Sequence, residues 1–151
     1  MNIHPTAILE EITTSGTTSA TIADDVTIGA FSVIGPHVVV QGRTHLQRGI
    51  QIHPFAAVGG IPQDLKYAGE PGTLEVGAGT IIRECATIHI GTQGGGMHTR
   101  VGKNVLVMAY AHVAHYCQVG DGVILANGAT LAGHVEIGAH AIIGGLAAMH
   151  Q

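Results

Sequence analysis

The stretch VGKNVLVMAYAHVAHYCQVGDGVILANGATLAGHVEIGAHAIIGGLAAMHQ, residues 101–151, decides the fold. Val101, Val107, Val113, Val119, Leu125, Leu131, Ile137, Ile143 and Met149 recur in it every six residues. A period of six fits neither an amphipathic helix, at 3.6, nor a plain alternating strand, at 2. It fits a solenoid in which each hexad supplies one short strand and one turn, and stacked coils bury a shared core. Position five of each hexad is small or aliphatic (Ala111, Cys117, Val123, Ala129, Val135, Ala141, Ala147) and points inward with position one, as strand alternation allows.

Upstream, Ile3 and Leu9 already show the spacing, and Ile22, Ile28, Ile34, Val40, Leu46, Ile52 and Val58 continue it in register. Gly29, Gly35 and Gly59 follow three of these, where a corner would favour a permissive backbone. Between Leu9 and Ile22 the step is thirteen residues, one more than two hexads, which predicts a one-residue bulge or small protruding turn in the Thr- and Ser-rich segment before Thr21. Two further interruptions, near 59–75 and 89–100, carry polar side chains, prolines or a glycine run and must leave the wall as loops.

Composition agrees with a thin, repetitive core. The 151 residues fit one domain spanning 1–151; 23 are glycine, none is Trp, and short aliphatic residues must fill the interior. Six basic residues against ten acidic ones form no run that could neutralise a line of phosphates, so nucleic acid is not an expected partner. Cys85 and Cys117 have no CxxC spacing, which argues against a disulfide framework or structural zinc. No leader-like N-terminus and no window of transmembrane length is present, and the chain reads as soluble and cytoplasmic.

The histidines carry the chemistry. With three hexads to a coil, residue 115 stacks under 133 and 133 under 151, so His115 lies beneath Gly133. An imidazole can act as a general base, and an uncovered glycine N–H just above it can meet an oxygen that becomes negative in a transition state.

Five segments, QDLKYAGEP at 63–71, RECATIHIGT at 83–92, AHVAH at 111–115, ATLAGHV at 129–135 and HQ at 150–151, resemble in order those of the UDP-N-acetylglucosamine O-acyltransferase family. The resemblance covers nearly the whole chain. It implies an all-β, left-handed parallel β-helix of triangular coils, usually trimeric. It also implies transfer of a 3-hydroxyacyl chain from the phosphopantetheine of acyl carrier protein to the 3-hydroxyl of UDP-N-acetylglucosamine, the first step of lipid A synthesis, with no metal or other cofactor. By resemblance His115 is the general base and the Gly133 N–H stabilises the tetrahedral intermediate. By resemblance too, His112, His134 and Gln151 line the substrate site, and Asp64 and Lys66 contact the nucleotide sugar; His150 falls near the same edge and is read as a further substrate contact.

Plainer readings stand beside these. Asp64 and Lys66 fit a surface ion pair worth little, Gly133 a turn glycine, and Cys117 a small core residue rather than a nucleophile. His4, His37, His45, His98 and His140 are read as solvated turn residues. The family commonly carries an acidic residue directly after the base; here Tyr116 stands there, and Glu84 is a candidate to replace it. The family also continues into further coils and a helical C-terminal domain, so the chain is read as truncated at Gln151. Two other classes are weighed: a zinc enzyme like the γ-class carbonic anhydrases, and a non-catalytic trimeric assembly module. Acyl chain length is not legible.

Overall fold

A computed structural model describes residues 2–6, 8–9, 13–14 and 19–151 of the chain. Short strands follow one another around a triangular prism, and each pairs in parallel with the third strand before and after it. Among the described residues the result is three parallel sheets of eight, seven and seven strands, one for each side of a β-helix. Thr21 pairs with Val39, Val39 with Ala57, Gln118 with Glu136 and Ile124 with Ile142, each eighteen residues apart, so three hexads close one coil.

Position one of the hexads faces inward. Ile22, Ile28, Ile34, Val40, Leu46, Val58, Val76, Ile82, Ile88, Val107, Leu125 and Leu131 are fully buried. Each such aliphatic side chain contributes about 1.5–3 kcal/mol of transfer free energy. Position five completes the core with Val26, Val38, Ile50, Val105, Ala111, Cys117 and Ala129. Where a hydroxyl takes that position it is satisfied locally. Ser32 Oγ donates to the Gly29 carbonyl and accepts from the Ile50 N–H, while Thr80 Oγ1 donates to the Gly102 carbonyl and accepts from the Val105 N–H. Buried hydroxyls without such partners would destabilise the stack.

The corners differ from the expectation in one respect. The left-handed backbone falls three residues after the inward position, at Asp25, Phe31, His37, Phe55, Cys85, Asn104, Tyr110, Tyr116, His134, His140 and Leu146. Gly29 and Gly35 do not have positive φ. A Cβ at Gly29 would lie 2.7 Å from the Arg48 nitrogen, and one at Gly35 would lie 3.0 Å from the Ile52 carbonyl oxygen. Close approach of the next coil's backbone, rather than a permissive φ, requires glycine there. Gly59, at φ 82, fits the original expectation.

In the first coil Ile3 pairs with Ile22 and Leu9 with Ile28, while Thr14 pairs with Ile34. The step from Leu9 to Thr14 is therefore five residues and that from Thr14 to Ile22 eight, so the net surplus of one arises from two extra residues after Thr14, and residues 15–18, where the bulge was expected, lie outside the described residues.

The two long excursions leave from the same edge. Thr73–Val76 is a four-residue strand paired in register with both neighbours, and Ala57–Gly60 is one whose register shifts between Val58 and Gly60, where Gly60 stands opposite His89, so the first loop is confined to residues 61–72, tighter than 59–75. The second runs over residues 90–97 between Thr87–His89 and His98–Val101, with a 3-10 turn at Gln93–Gly95. Across them the pairing offset grows, with Ala57 opposite Thr87 and Thr87 opposite His112. The corners bearing residues 114–117 and 132–135 continue this edge, so both loops stand beside the histidines.

Candidate functional site

His115 and Gly133 occupy equivalent places on successive coils, fixed by the pairing of His112 with Thr130 and Val113 with Leu131. A Cβ on Gly133 would overlap Nε2 of His115, so the imidazole fits beneath that backbone only because no side chain is there. The flanking N–H groups are engaged: Ala132 donates to the Met149 carbonyl and His134 to the His115 carbonyl. Among the described residues the Gly133 N–H donates to no acceptor. Cys117 Sγ donates to the Ala132 carbonyl at 3.1 Å and braces this corner from inside. Burial pushes the Cys117 thiol up to about 11, which suits packing and not nucleophilic attack.

Asp64 reaches the same place from the first loop. Its Oδ2 is 3.8 Å from His115 Nε2, and its Oδ1 accepts the Lys66 N–H at 3.0 Å. His134 packs edge-on to His115 with ring centroids 5.2 Å apart. His115, Gly133, His134, Asp64, Lys66, His150 and Gln151 line one open cleft of about 410 Å³. A second cleft of about 400 Å³, between the two loops, shares Asp64, Lys66 and His134 with it and adds Glu70, Thr92 and Gln93. A larger cleft, about 640 Å³, lies at another corner around Phe31, Arg48 and Lys103 and contains no histidine.

His112 is not in the wall of the first cleft. It sits one strand inward, where its Nδ1 and Thr87 Oγ1 are 2.7 Å apart. His89, which the six-residue reading passes over, packs edge-on to His112 at 4.8 Å. The second loop shifts His89 out of the eighteen-residue phase. Aligning Ile88 with Val113 rather than counting eighteens would have brought it next to His112.

The cluster is held neutral. Burial, with lesser contributions from His112 and His115, lowers the His89 pKa to about 4. Burial and then His115 lower that of His112. Burial also lowers that of His115, with Asp64 opposing and His134 adding to the shift. Imidazoles of this kind carry free lone pairs at neutral pH, as proton acceptors must.

Glu70, also missed, ties the two loops together: its carboxylate accepts the N–H of Ala68 at 2.9 Å and of Gln93 at 3.2 Å. These backbone bonds, Ala68 first, hold its carboxyl below the usual range.

Glu84 does not serve His115. It lies at a different corner, bonded to Arg83 at 2.9 Å and facing His53 Nδ1 at 3.3 Å. The carboxylate beside His115 is Asp64. The Tyr116 ring lies against His134, centroids 5.2 Å apart, with its Cε2 edge toward Gly96.

Of the outlying histidines, His4, His37, His45 and His140 are exposed. His37 stacks flat on Phe55 at 4.9 Å, and His45 lies on the strand Arg43–Leu46 rather than in a turn. His98 is also on a strand and half-buried, with its Nδ1 2.8 Å from Thr73 Oγ1. Among the described residues no three His, Cys, Asp or Glu side chains converge to hold a metal ion, both cysteines are free, and no helix is long and apolar enough to cross a membrane.

Residues 98–133, the coils carrying His112, His115 and Gly133, match the bacterial transferase hexapeptide family (six repeats). The whole chain superposes on the crystal structure of a UDP-N-acetylglucosamine acyltransferase with a TM-score of 0.96 and 43% identity, covering 100% of this chain and 58% of that one. The chain belongs to the UDP-N-acetylglucosamine acyltransferase family. Its left-handed β-helix is that of the hexapeptide-repeat acyltransferases. The acyltransferase of Bacteroides fragilis is 37% identical over 99% of this chain and 58% of its own length, with a TM-score of 0.94. That of Campylobacter jejuni is 38% identical over 99% of this chain and 60% of its own, with a TM-score of 0.88. The chain thus spans 58–60% of the length of these acyltransferases.

Proposed function

We propose that the chain carries the acyl-transfer centre of an enzyme that moves a 3-hydroxyacyl group from acyl carrier protein to the 3-hydroxyl of UDP-N-acetylglucosamine, working as a homotrimer in the cytoplasm. The observation that supports this is that His115 Nε2 lies against Gly133, whose N–H donates to no acceptor among the described residues, in a cleft walled by a loop carboxylate and a lysine.

A sugar hydroxyl is protonated at neutral pH, so its attack on a thioester needs a base in place. His115 Nε2 takes the hydroxyl proton as the oxygen bonds to the thioester carbon. The carbonyl oxygen becomes negative and accepts the Gly133 N–H. Collapse of this intermediate breaks the carbon–sulfur bond, and the proton on Nε2 passes to the departing phosphopantetheine sulfur. Asp64 and Lys66 hold the nucleotide sugar, and His134, His150 and Gln151 close the wall around it. His112 and His89 support the site from the strand behind.

Donor choice tests this reading. The chain is incubated with UDP-N-acetylglucosamine and either a 3-hydroxyacyl carrier protein or acetyl-coenzyme A, and the sugar nucleotide is followed by mass. Acylation from the carrier protein alone supports it; acetylation from coenzyme A, or no product from either, contradicts it.

A further inference from the structure

Neutral imidazole has one N–H and one lone pair, so a histidine acts as a base only through the nitrogen that lacks the proton. At His115 the nitrogen facing the cleft is Nε2, beneath Gly133 and 3.8 Å from the Asp64 carboxylate. The other, Nδ1, is buried and has no hydrogen-bond partner. No acceptor at Nδ1 favours a proton there, and the residue after the base is of no help, since the Tyr116 ring lies against His134. The choice is made at Nε2. An N–H there points toward a carboxylate, whereas a lone pair there faces it and is repelled.

The carboxylate is aimed for this. Its Oδ1 is occupied by the Lys66 N–H, which leaves Oδ2 toward the ring. His115 and Asp64 are only 13% and 25% exposed at the side chain, so solvent screens the contact incompletely.

We propose that Asp64 is a positioning residue that holds His115 of the free protein in the Nε2–H tautomer, and that a sugar nucleotide engaging the Asp64 carboxylate frees the ring to adopt the Nδ1–H form. That the first tautomer is idle and the second reactive rests on His115 being the base. The exchange passes through the imidazolium: as the ring moves and uncovers Nδ1, one proton is taken up from water there and one is released to water from Nε2, with no net change of charge. The base then becomes competent only when the acceptor is in place.

The test is a long-range proton–nitrogen correlation spectrum of the ¹⁵N-histidine-labelled chain at about pH 7.5, where the ring is neutral, repeated for Asp64→Ala and for wild type saturated with UDP-N-acetylglucosamine. The free wild type is expected to show a protonated-type shift at Nε2 and an unprotonated-type shift at Nδ1, a preference of at least about tenfold. Asp64→Ala should bring the two nitrogens together, and the sugar nucleotide should move the wild type toward Nδ1–H. An Nδ1–H pattern in the free wild type, or a pattern unchanged by Asp64→Ala, overturns the proposal. Absence of UDP-N-acetylglucosamine binding would instead count against the acyltransfer reading, since the free-protein spectra do not depend on it.

Discussion

The imidazole of His115 lies under the backbone of Gly133 so closely that a Cβ on the glycine would overlap Nε2. Gly133 does not have positive φ, so alanine suits the backbone and only the ring must move. Gly133→Ala is expected to melt within a few degrees of wild type yet lose about 10²-fold in kcat, because the methyl group displaces the His115 ring and crowds the retained N–H, a loss of the size seen when an oxyanion contact is broken. A melting curve beside a transfer assay checks both, and an unaltered kcat would separate the glycine from the chemistry.

Histidine burial sets an acid limb on stability. The His89 pKa falls from 6.5 to about 4 on folding, and those of His112 and His115 fall as well. Between these values the unfolded chain binds protons that the folded chain refuses, so stability is fully present above about pH 6.5 and is lost as pH falls toward 4. Urea midpoints should decline over that window, and His89→Gln should flatten the decline. The same slope in the variant would show that His89 is not its source.

Glu70 joins the loop that carries Asp64 to the loop that carries Gln93. Glu70→Ala removes two acceptors for backbone N–H groups without touching His115. The KM for UDP-N-acetylglucosamine is expected to rise about 5- to 20-fold, with kcat changed less than about twofold. Steady-state kinetics decide it; a fall in kcat at constant KM would place Glu70 in the reaction instead.

Much of the architecture is legible from one residue type at one spacing. Every sixth aliphatic must face inward, and three hexads per coil put His115 under Gly133 without further information. The loops are another matter. The eighteen-residue rule fails across residues 61–72 and 90–97, so His89 drops out of its true column. The approach of Asp64 to His115 depends on how a loop folds back, and Glu84, the carboxylate the sequence offers for that role, sits instead at a corner with Arg83 and His53. The corner glycines mislead for a related reason, because Gly29 answers to a neighbouring coil's backbone and not to its own φ.

Core packing predicts a separate effect. Leu125 is fully buried and lies on the strand Ile124–Leu125, away from the cleft residues. Leu125→Ala should cost about 2–5 kcal/mol of unfolding free energy. At a temperature where the variant stays folded, its transfer rate should match wild type. Chemical denaturation measures the first, and a loss below about 1 kcal/mol would mean that the stack collapses onto the gap.

The most direct test of His115 as the base is acyl transfer from 3-hydroxyacyl carrier protein to UDP-N-acetylglucosamine by the wild-type chain and by His115→Ala, with melting curves for both. The account predicts product from the wild type and a rate lower by about 10²-fold or more in the variant, at an equal melting temperature. A variant as fast as wild type, or two chains equally inactive, would contradict it.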